Sequence, residues 1–342
     1  MIKLSFQPKD VTKKLLGGLP GRSKDVLTKR YGLGKTTDRM TLEAIGREYS
    51  ITRERVRQIE EYSLNTIRKS DSYKESEKAF AEIKGVVDEL GSVVSETNLL
   101  DCVSDNQNVR NHIHFILVVG DQFFKFKEDD NFSHRWVTDK NLALTVENSI
   151  IKLCDGLTCY DIVPESELIK TFMDHLKDIS SKYKTDETVK RWLALSKKIA
   201  KNPLGEWGLA ESSNINVKGI RDLAYLVLRR HGSPMHFREL SGKISDTFKK
   251  KVHVATTHNE LIKDPRFVLV GRGLYALKDW GYSAGVVKDV IRQILEKDGP
   301  LNKEDIIKKV LKERYVKENT IIVNLQNQKA FKRDKVGKYY LA

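Results

Sequence analysis

A mainly α-helical protein with small β-hairpins is what the sequence predicts: an N-terminal helix-turn-helix followed by tandem winged-helix units. Two observations carry that expectation. Residues 41–60, TLEAIGREYSITRERVRQIE, read as two short capped helices joined by a tight turn. Beyond residue 70 a unit recurs in which helices of amphipathic spacing are followed by two short strand-like runs. The expected divisions are 1–70 for the helix-turn-helix, 71–140 for a possible winged helix with a leading helix, 141–217 for a winged-helix-like unit, 218–281 for the clearest winged helix and 282–342 for a shorter closing one.

Threonines open both helices of the first element. Thr41 precedes Leu42 and Ile45, and Thr52 precedes Val56, Ile59 and Ile67, all at helical spacing. Tyr49, Ser50 and Ile51 make the turn between them. With Val56 and Ile59 turned towards the first helix, Arg53, Glu54, Arg57 and Gln58 fall on the opposite face at i, i+1, i+4 and i+5. Those residue types match base edges: arginine forks onto guanine, glutamate accepts from cytosine and glutamine pairs with adenine. A solvated helix face would also be rich in Arg and Glu; the caps, the turn and the glutamine beside Arg57 favour a DNA-reading helix.

The clearest later unit starts with IRDLAYLVLRRHG, whose Leu223, Leu226 and Val227 share one face before Gly232 as C-cap. SPMHFRELSGKI follows, with Ser233 as expected N-cap and Pro234 at the first helical position. VATTHNELIKD supplies a third helix, and RFVLVGRGLYALKDW reads as strand, glycine turn, strand. The closing unit repeats this order around the stop signal Gly299-Pro300, ending in the hairpin AFKRDKVGKYYLA. A copy at about 143–215 ends in KNPLGEWGLAES, and one at about 73–140 places wing strands at FFKFK and HRWV. Trp207, Trp280 and Tyr340 read as hairpin core.

The runs GRSKDVLTKRYGL, TLEAIG and ITRERVRQIE together resemble region 4 of primary, sigma-70-type bacterial sigma factors, over roughly residues 12–69. The resemblance implies base contacts for Arg53, Glu54 and Gln58, and positions near phosphates for Arg22, Arg30, Thr41, Leu42 and Arg57. Tyr62 stands where that family usually has a basic residue. In the family this domain reads the promoter −35 element and grips the flap of the RNA polymerase β subunit. The segments AYLVLRRHGSPMHFREL and DPRFVLVGRGLYALKDW resemble the HARE-HTH domain, a winged helix of the polymerase delta subunit, chromatin proteins and some restriction enzymes. That resemblance implies association with nucleic acid or polymerase.

Charge is unevenly spread along the 342 residues, which carry +14 overall. Residues 1–70 hold sixteen Lys/Arg against eight Asp/Glu, residues 71–217 eighteen against twenty-five, and residues 218–342 twenty-seven against fourteen. Basic ends and an acidic middle suit a nucleic-acid binder with two contact regions. In the tail, Lys249, Lys250 and Lys251 precede a third helix, Arg272 sits at a wing tip, and Lys332, Arg333, Lys335 and Lys338 occupy the last wing. Phosphate contacts and a solvated charge run are both open readings of each.

Chemistry is sparse. GLGKTT lacks the glycine a phosphate loop needs at position 29, which is Lys29. Cys102, Cys154 and Cys159 argue against a disulfide framework and for a reducing compartment, and no Cys/His spacing implies zinc. His231, His236, His253 and His258 read as packing or surface residues. No catalytic constellation, metal or cofactor is expected, nor a membrane span. The expected protein is cytoplasmic, nucleoid-associated and not an enzyme, and its partners are double-stranded DNA and the RNA polymerase core. With nothing resembling the DNA-melting helices of a complete sigma factor, it is expected not to initiate transcription alone. The leading function is a sequence-specific transcription regulator; a delta-like polymerase accessory subunit and the DNA-targeting partner of a restriction or modification system are the alternatives.

Overall fold

Proline at position 8 suits a helix start, because its fixed φ is helical and a first-turn N–H has no intrahelical partner. It opens α1 (Pro8–Leu15), which leads to α2 (Gly21–Tyr31), α3 (Leu42–Tyr49) and α4 (Arg53–Arg68). The computed structural model describes residues 2–176, 179–282 and 285–342. Among them it holds 17 α-helices and 10 short strands, so the predicted class, mainly α with small hairpins, is the one observed. The chain divides into two compact units, residues 1–200 with 207–210, and residues 201–206 with 211–342.

Both threonine caps form. Thr41 Oγ1 accepts from the Ala44 N–H at 3.1 Å and Thr52 Oγ1 from the Arg55 N–H at 3.2 Å. Between the helices Ser50 takes a left-handed φ of 53°. Gly46 is required by the turn: a Cβ there would lie 2.7 Å from the Ile51 carbonyl oxygen. Val26, Ile45 and Val56 are fully buried and lock α2, α3 and α4 around a small core of their own.

Next come α5 (Asp71–Glu75), α6 (Glu77–Glu89), β1 (Val93–Ser95), α7 (Glu96–Val103), α8 (Gln107–Val119), β2 (Phe124–Phe126) and β3 (Arg135–Val137). The last strand is central and antiparallel to both others, with Val93 and Phe124 each opposite Val137. The order helix, strand, helix, helix, strand, strand then returns three times. From Lys140–Asp155 to Trp207–Leu209, Val163 bridges Trp207 in the first-strand position. From Ile220–His231 to Leu274–Leu277, Met235–His236 pairs with the last strand, which again lies in the middle. From Val287–Asp298 to Tyr339–Leu341, Leu301 bridges Tyr339. The sequence did not show this first-strand element, which is a strand at Val93–Ser95 and Met235–His236 and a single bridge at Val163 and Leu301.

That extra strand corrects two local expectations. Ser233 does not cap and Pro234 does not open a helix; the helix is Phe237–Phe248, capped by His236, whose ring accepts from the Arg238 N–H at 3.3 Å. Pairing of Met235 and His236 with Tyr275 and Leu274 draws the chain into the sheet before the helix can start. Tyr340 is not hairpin core. It is 38 % exposed and pairs with Lys332 on the outer face, while Tyr339 and Leu341 turn inward by strand alternation. Trp207 is buried as expected, whereas Trp280 is half-buried in a short turn after its hairpin.

The head is seated on α8. Leu15, Leu16, Leu27, Tyr31 and Ile67 share one core with Ile113, Phe115, Ile116 and Phe80. Fully buried Asn111 is its polar pin: its Nδ2 donates to the Gly32 and Thr37 carbonyls at 3.0 and 2.8 Å, and its Oδ1 accepts from Arg39 Nε at 2.9 Å and Gln107 Nε2 at 3.0 Å. The Arg68 guanidinium reaches the carbonyls of Val119 and Val118 at 3.0 and 2.9 Å.

Two histidines of α8 are buried beside this seam. His112 has no hydrogen-bond partner at either ring nitrogen, and His114 Nε2 lies 3.5 Å from Glu96 and 3.3 Å from Lys125 Nζ. Burial lowers the pKa of His112, helped by the Lys9 charge; burial also lowers that of His114, against the pull of Glu96. The unfolded chain then takes these protons at higher pH than the folded one. Stability is complete above the unfolded value of ~6.5 and falls below it, by at most ~1.4 kcal/mol per pH unit for each histidine. Urea midpoints compared at neutral and mildly acidic pH should show the decline, and His112→Leu should make it shallower; parallel profiles for the two proteins would contradict this.

Candidate nucleic-acid interface

The sequence-predicted reading face is on one side of α4. Val56 is buried towards α2 and α3, and Arg53, Glu54, Arg57 and Gln58 are all exposed on the other side. Arg57 donates to Glu54 at 2.8 Å and to Glu61 at 3.0 Å. The hydrogen bond from Arg57 holds the Glu54 carboxyl below the usual carboxylate range and in return raises the Arg57 pKa. Glu54 is thus an ionised acceptor. Exposed pairs of this kind are weak, so a phosphate or base edge displaces them at little cost. Beside the pair, Arg55 Nη1 donates to Gln58 Oε1 at 3.0 Å, and a groove of about 500 Å³ runs between Arg22, Ser23, Arg55, Gln58, Ile59 and Tyr62.

The residues expected near phosphates do not share one environment. Arg22 is exposed, its guanidinium 5.2 Å from the Tyr49 ring centre. That ring is held by its hydroxyl bond to Asp25, which also pairs with Lys29 at 2.8 Å. Thr41 and Leu42 stand at the start of α3, where free helix N–H groups favour an anion. Arg30 is engaged internally: its Nη1 donates to the Met40 carbonyl at 3.1 Å and its Nε lies 3.5 Å from Glu60. Arg30 thereby ties down the loop that leads into α3.

In the second unit Lys249 ends helix Phe237–Phe248 with a left-handed φ of 52°, and Lys250 and Lys251 are exposed before helix Val254–Lys263. Arg272 is exposed at the hairpin tip, between Gly271 and Gly273. Gly273 has φ of +70°, and at Gly271 a Cβ would lie 2.8 Å from the Tyr315 carbonyl oxygen. The Tyr315 N–H in turn donates to Val270 at 2.7 Å, which fixes this wing against the closing winged helix. Lys332, Arg333, Lys335 and Lys338 are exposed on the last hairpin. His236, Phe237 and His258 stack at 4.5 and 4.2 Å, with Tyr275 edge-on to His258, so these two histidines pack against rings.

Residues 15–69 match the family model of sigma-70 region 4, and residues 220–280 match that of HARE-HTH, a helix-turn-helix domain named for ASXL proteins and restriction endonucleases among others. The chain carries both domains. Over 59 residues it is 46 % identical to RNA polymerase sigma factor RpoD of Neisseria gonorrhoeae, a stretch that makes up 17 % of this chain and 9 % of that protein. The likeness is therefore of a domain, and the chain spans less than a tenth of that relative.

Within the region 4 domain the helix-turn-helix and its exposed polar face are as the sequence indicated. Arg55 was missed. It lies two residues after Arg53 and three before Gln58, so a helical wheel sets it at the edge of the same face. Among the described residues, no group of three or more His, Cys, Asp or Glu is placed to hold a metal ion, and no helix is long and apolar enough to cross a membrane.

Proposed function

We propose that this chain is a sequence-specific DNA-binding transcription regulator that reads a −35-type promoter element through Arg53, Glu54 and Gln58. The observation that carries the reading is the exposed face of α4, held in place by both threonine caps and by a fully buried core of Val26, Ile45 and Val56. Arg57, Arg22, Thr41 and Leu42 surround that face with backbone contacts, and Arg30 supports them from within. The region 4 and HARE-HTH matches and the likeness to a sigma factor support DNA as the partner. Lys249, Lys250, Lys251, Arg272 and the last wing add sequence-independent contacts.

Contact with the RNA polymerase core is the second reading, favoured by the sigma-factor likeness and the acidic middle. The covered flank of the head bears on it. The apolar sides of α1, α2 and α4 are filled by α8, and Tyr62 is the one large apolar side chain of residues 2–70 that is exposed. A polymerase element would accordingly meet the polar surface of the domain.

Selection of duplexes from a random pool by the full chain tests the proposal, which predicts a short enriched motif; uniform recovery of all sequences would refute it. Lys249→Ala should weaken every duplex alike and reduce the slope of log K against log salt by ~0.9, the value for one phosphate contact.

A further inference from the structure

The third helix of the closing winged helix, Glu318–Leu325, lies outside both family matches and carries a face that differs from those of its three counterparts. All four units share one connectivity, and in three-helix folds of the helix-turn-helix kind the third helix is the one that enters a groove. In the first this helix is α8, buried under the head. In the second it is Asp186–Leu193, which opens with Asp186 and Glu187 and pairs Lys190 with Glu165 at 2.7 Å and Arg191 with Glu187 at 3.0 Å. Two adjacent acidic residues in the first turn repel a phosphate backbone, and cations already paired with carboxylates offer it little attraction. The third, Val254–Lys263, belongs to the HARE-HTH domain and follows the lysine run.

In the closing unit, buried Ile321 and Leu325 face the core of that winged helix. Asn319, Thr320, Val323 and the C-cap Gln326 line the opposite side at i, i+1, i+4 and i+7, with Asn327 just beyond, and all are exposed, Val323 by 64 %. A merely solvated face would carry lysine and glutamate; this one carries amides, a hydroxyl and a branched methyl pair, with Glu318 at its start. Its wing is built for an anionic partner. Asp334 accepts the N–H groups of Val336 and Lys338 at 2.9 and 2.8 Å, which closes the turn. The closed turn presents Lys335 and Lys338 on either side of Val336, which is 82 % exposed. Residues 282–342 hold fourteen Lys/Arg against eight Asp/Glu.

We infer that Glu318–Leu325 and the residues just after it form a second base-reading surface, which takes A·T-rich duplex DNA. Asn319 and Gln326 are the residue types that pair bidentately with the adenine N6 and N7 edge. The methyl groups of Thr320 and Val323 suit contact with the thymine methyl, and the face lacks arginine, the guanine reader. The lysines meet phosphates, and Val336 lies against the apolar sugar edges that line a minor groove. The inference rests on the reading of the chain as a DNA binder, and not on the head being the reader.

Selection from a random duplex pool with the full chain should enrich an A·T-rich element that survives Arg53→Ala/Gln58→Ala. It should be lost in Asn319→Ala/Gln326→Ala, with preference for that element falling about 5- to 150-fold for each contact removed. Asn319→Asp, of nearly equal size, should lose it as well, which separates readout from folding; unchanged thermal melting checks the exposed double variant. An A·T element retained by folded tail variants, or none selected by the parent chain, overturns the inference. If only Arg53→Ala/Gln58→Ala leaves selectivity untouched, the head reading fails and this one stands.

Discussion

Changing Arg53 and Gln58 together to alanine is expected to abolish the motif read by α4 while leaving the protein folded. Both side chains are exposed and neither contributes to the Val26, Ile45 and Val56 core, so the thermal midpoint should move little. Each lost base contact should cost ~1–3 kcal/mol of discrimination, so the two together reach the lower part of the ~4–10 kcal/mol that separates specific from non-specific binding. Binding would fall towards the level set by phosphate contacts alone and become steeply salt-dependent. Selectivity equal to that of the parent chain would show that α4 is not a reader. Arg55→Ala, which frees Gln58 from its hydrogen bond, should shift the motif less than either change in that pair.

Asn111→Leu is expected to have the largest effect on stability, about 2–4 kcal/mol, because a side chain of similar size removes four hydrogen bonds and leaves the Gly32 and Thr37 carbonyls unpaired in a buried site. Those carbonyls belong to the loop between α2 and α3, so the start of α3 should loosen. DNA affinity would then fall with the selected motif unchanged, a pattern distinct from that of the α4 variants. Urea unfolding read together with duplex binding checks both parts. A loss below about 1 kcal/mol would mean that solvent enters and satisfies the seam.

Much of the head was legible because its signals are local. A threonine cap acts within three residues, and the i, i+3 spacing of Leu42 with Ile45 and of Val56 with Ile59 lies in one short window. The exposure of Arg53, Glu54, Arg57 and Gln58 follows from that pattern alone. The short first strands were not legible. Met235–His236 is two residues long, and Val163 and Leu301 are single bridges; none is long enough to show alternation, and each is strand-like only because the last strand lies beside it. The roles of Arg30 and Asn111 escaped for the same reason, since their partners, Gln107 apart, are 10 to 79 residues away along the chain.

By itself, then, the sequence determined the helical class, the two domain resemblances, the recurring unit and the side of α4 that faces outward, all from patterns that local sterics and periodicity enforce. The tertiary structure decided which third helices are free. Helix α8 is buried from Asn111 to Leu117 with Tyr31 and Ile67 of the head packed in its core, whereas Glu318–Leu325 keeps its polar face in solvent. Burial of a face depends on what arrives from elsewhere in the chain, and only the folded packing supplies that.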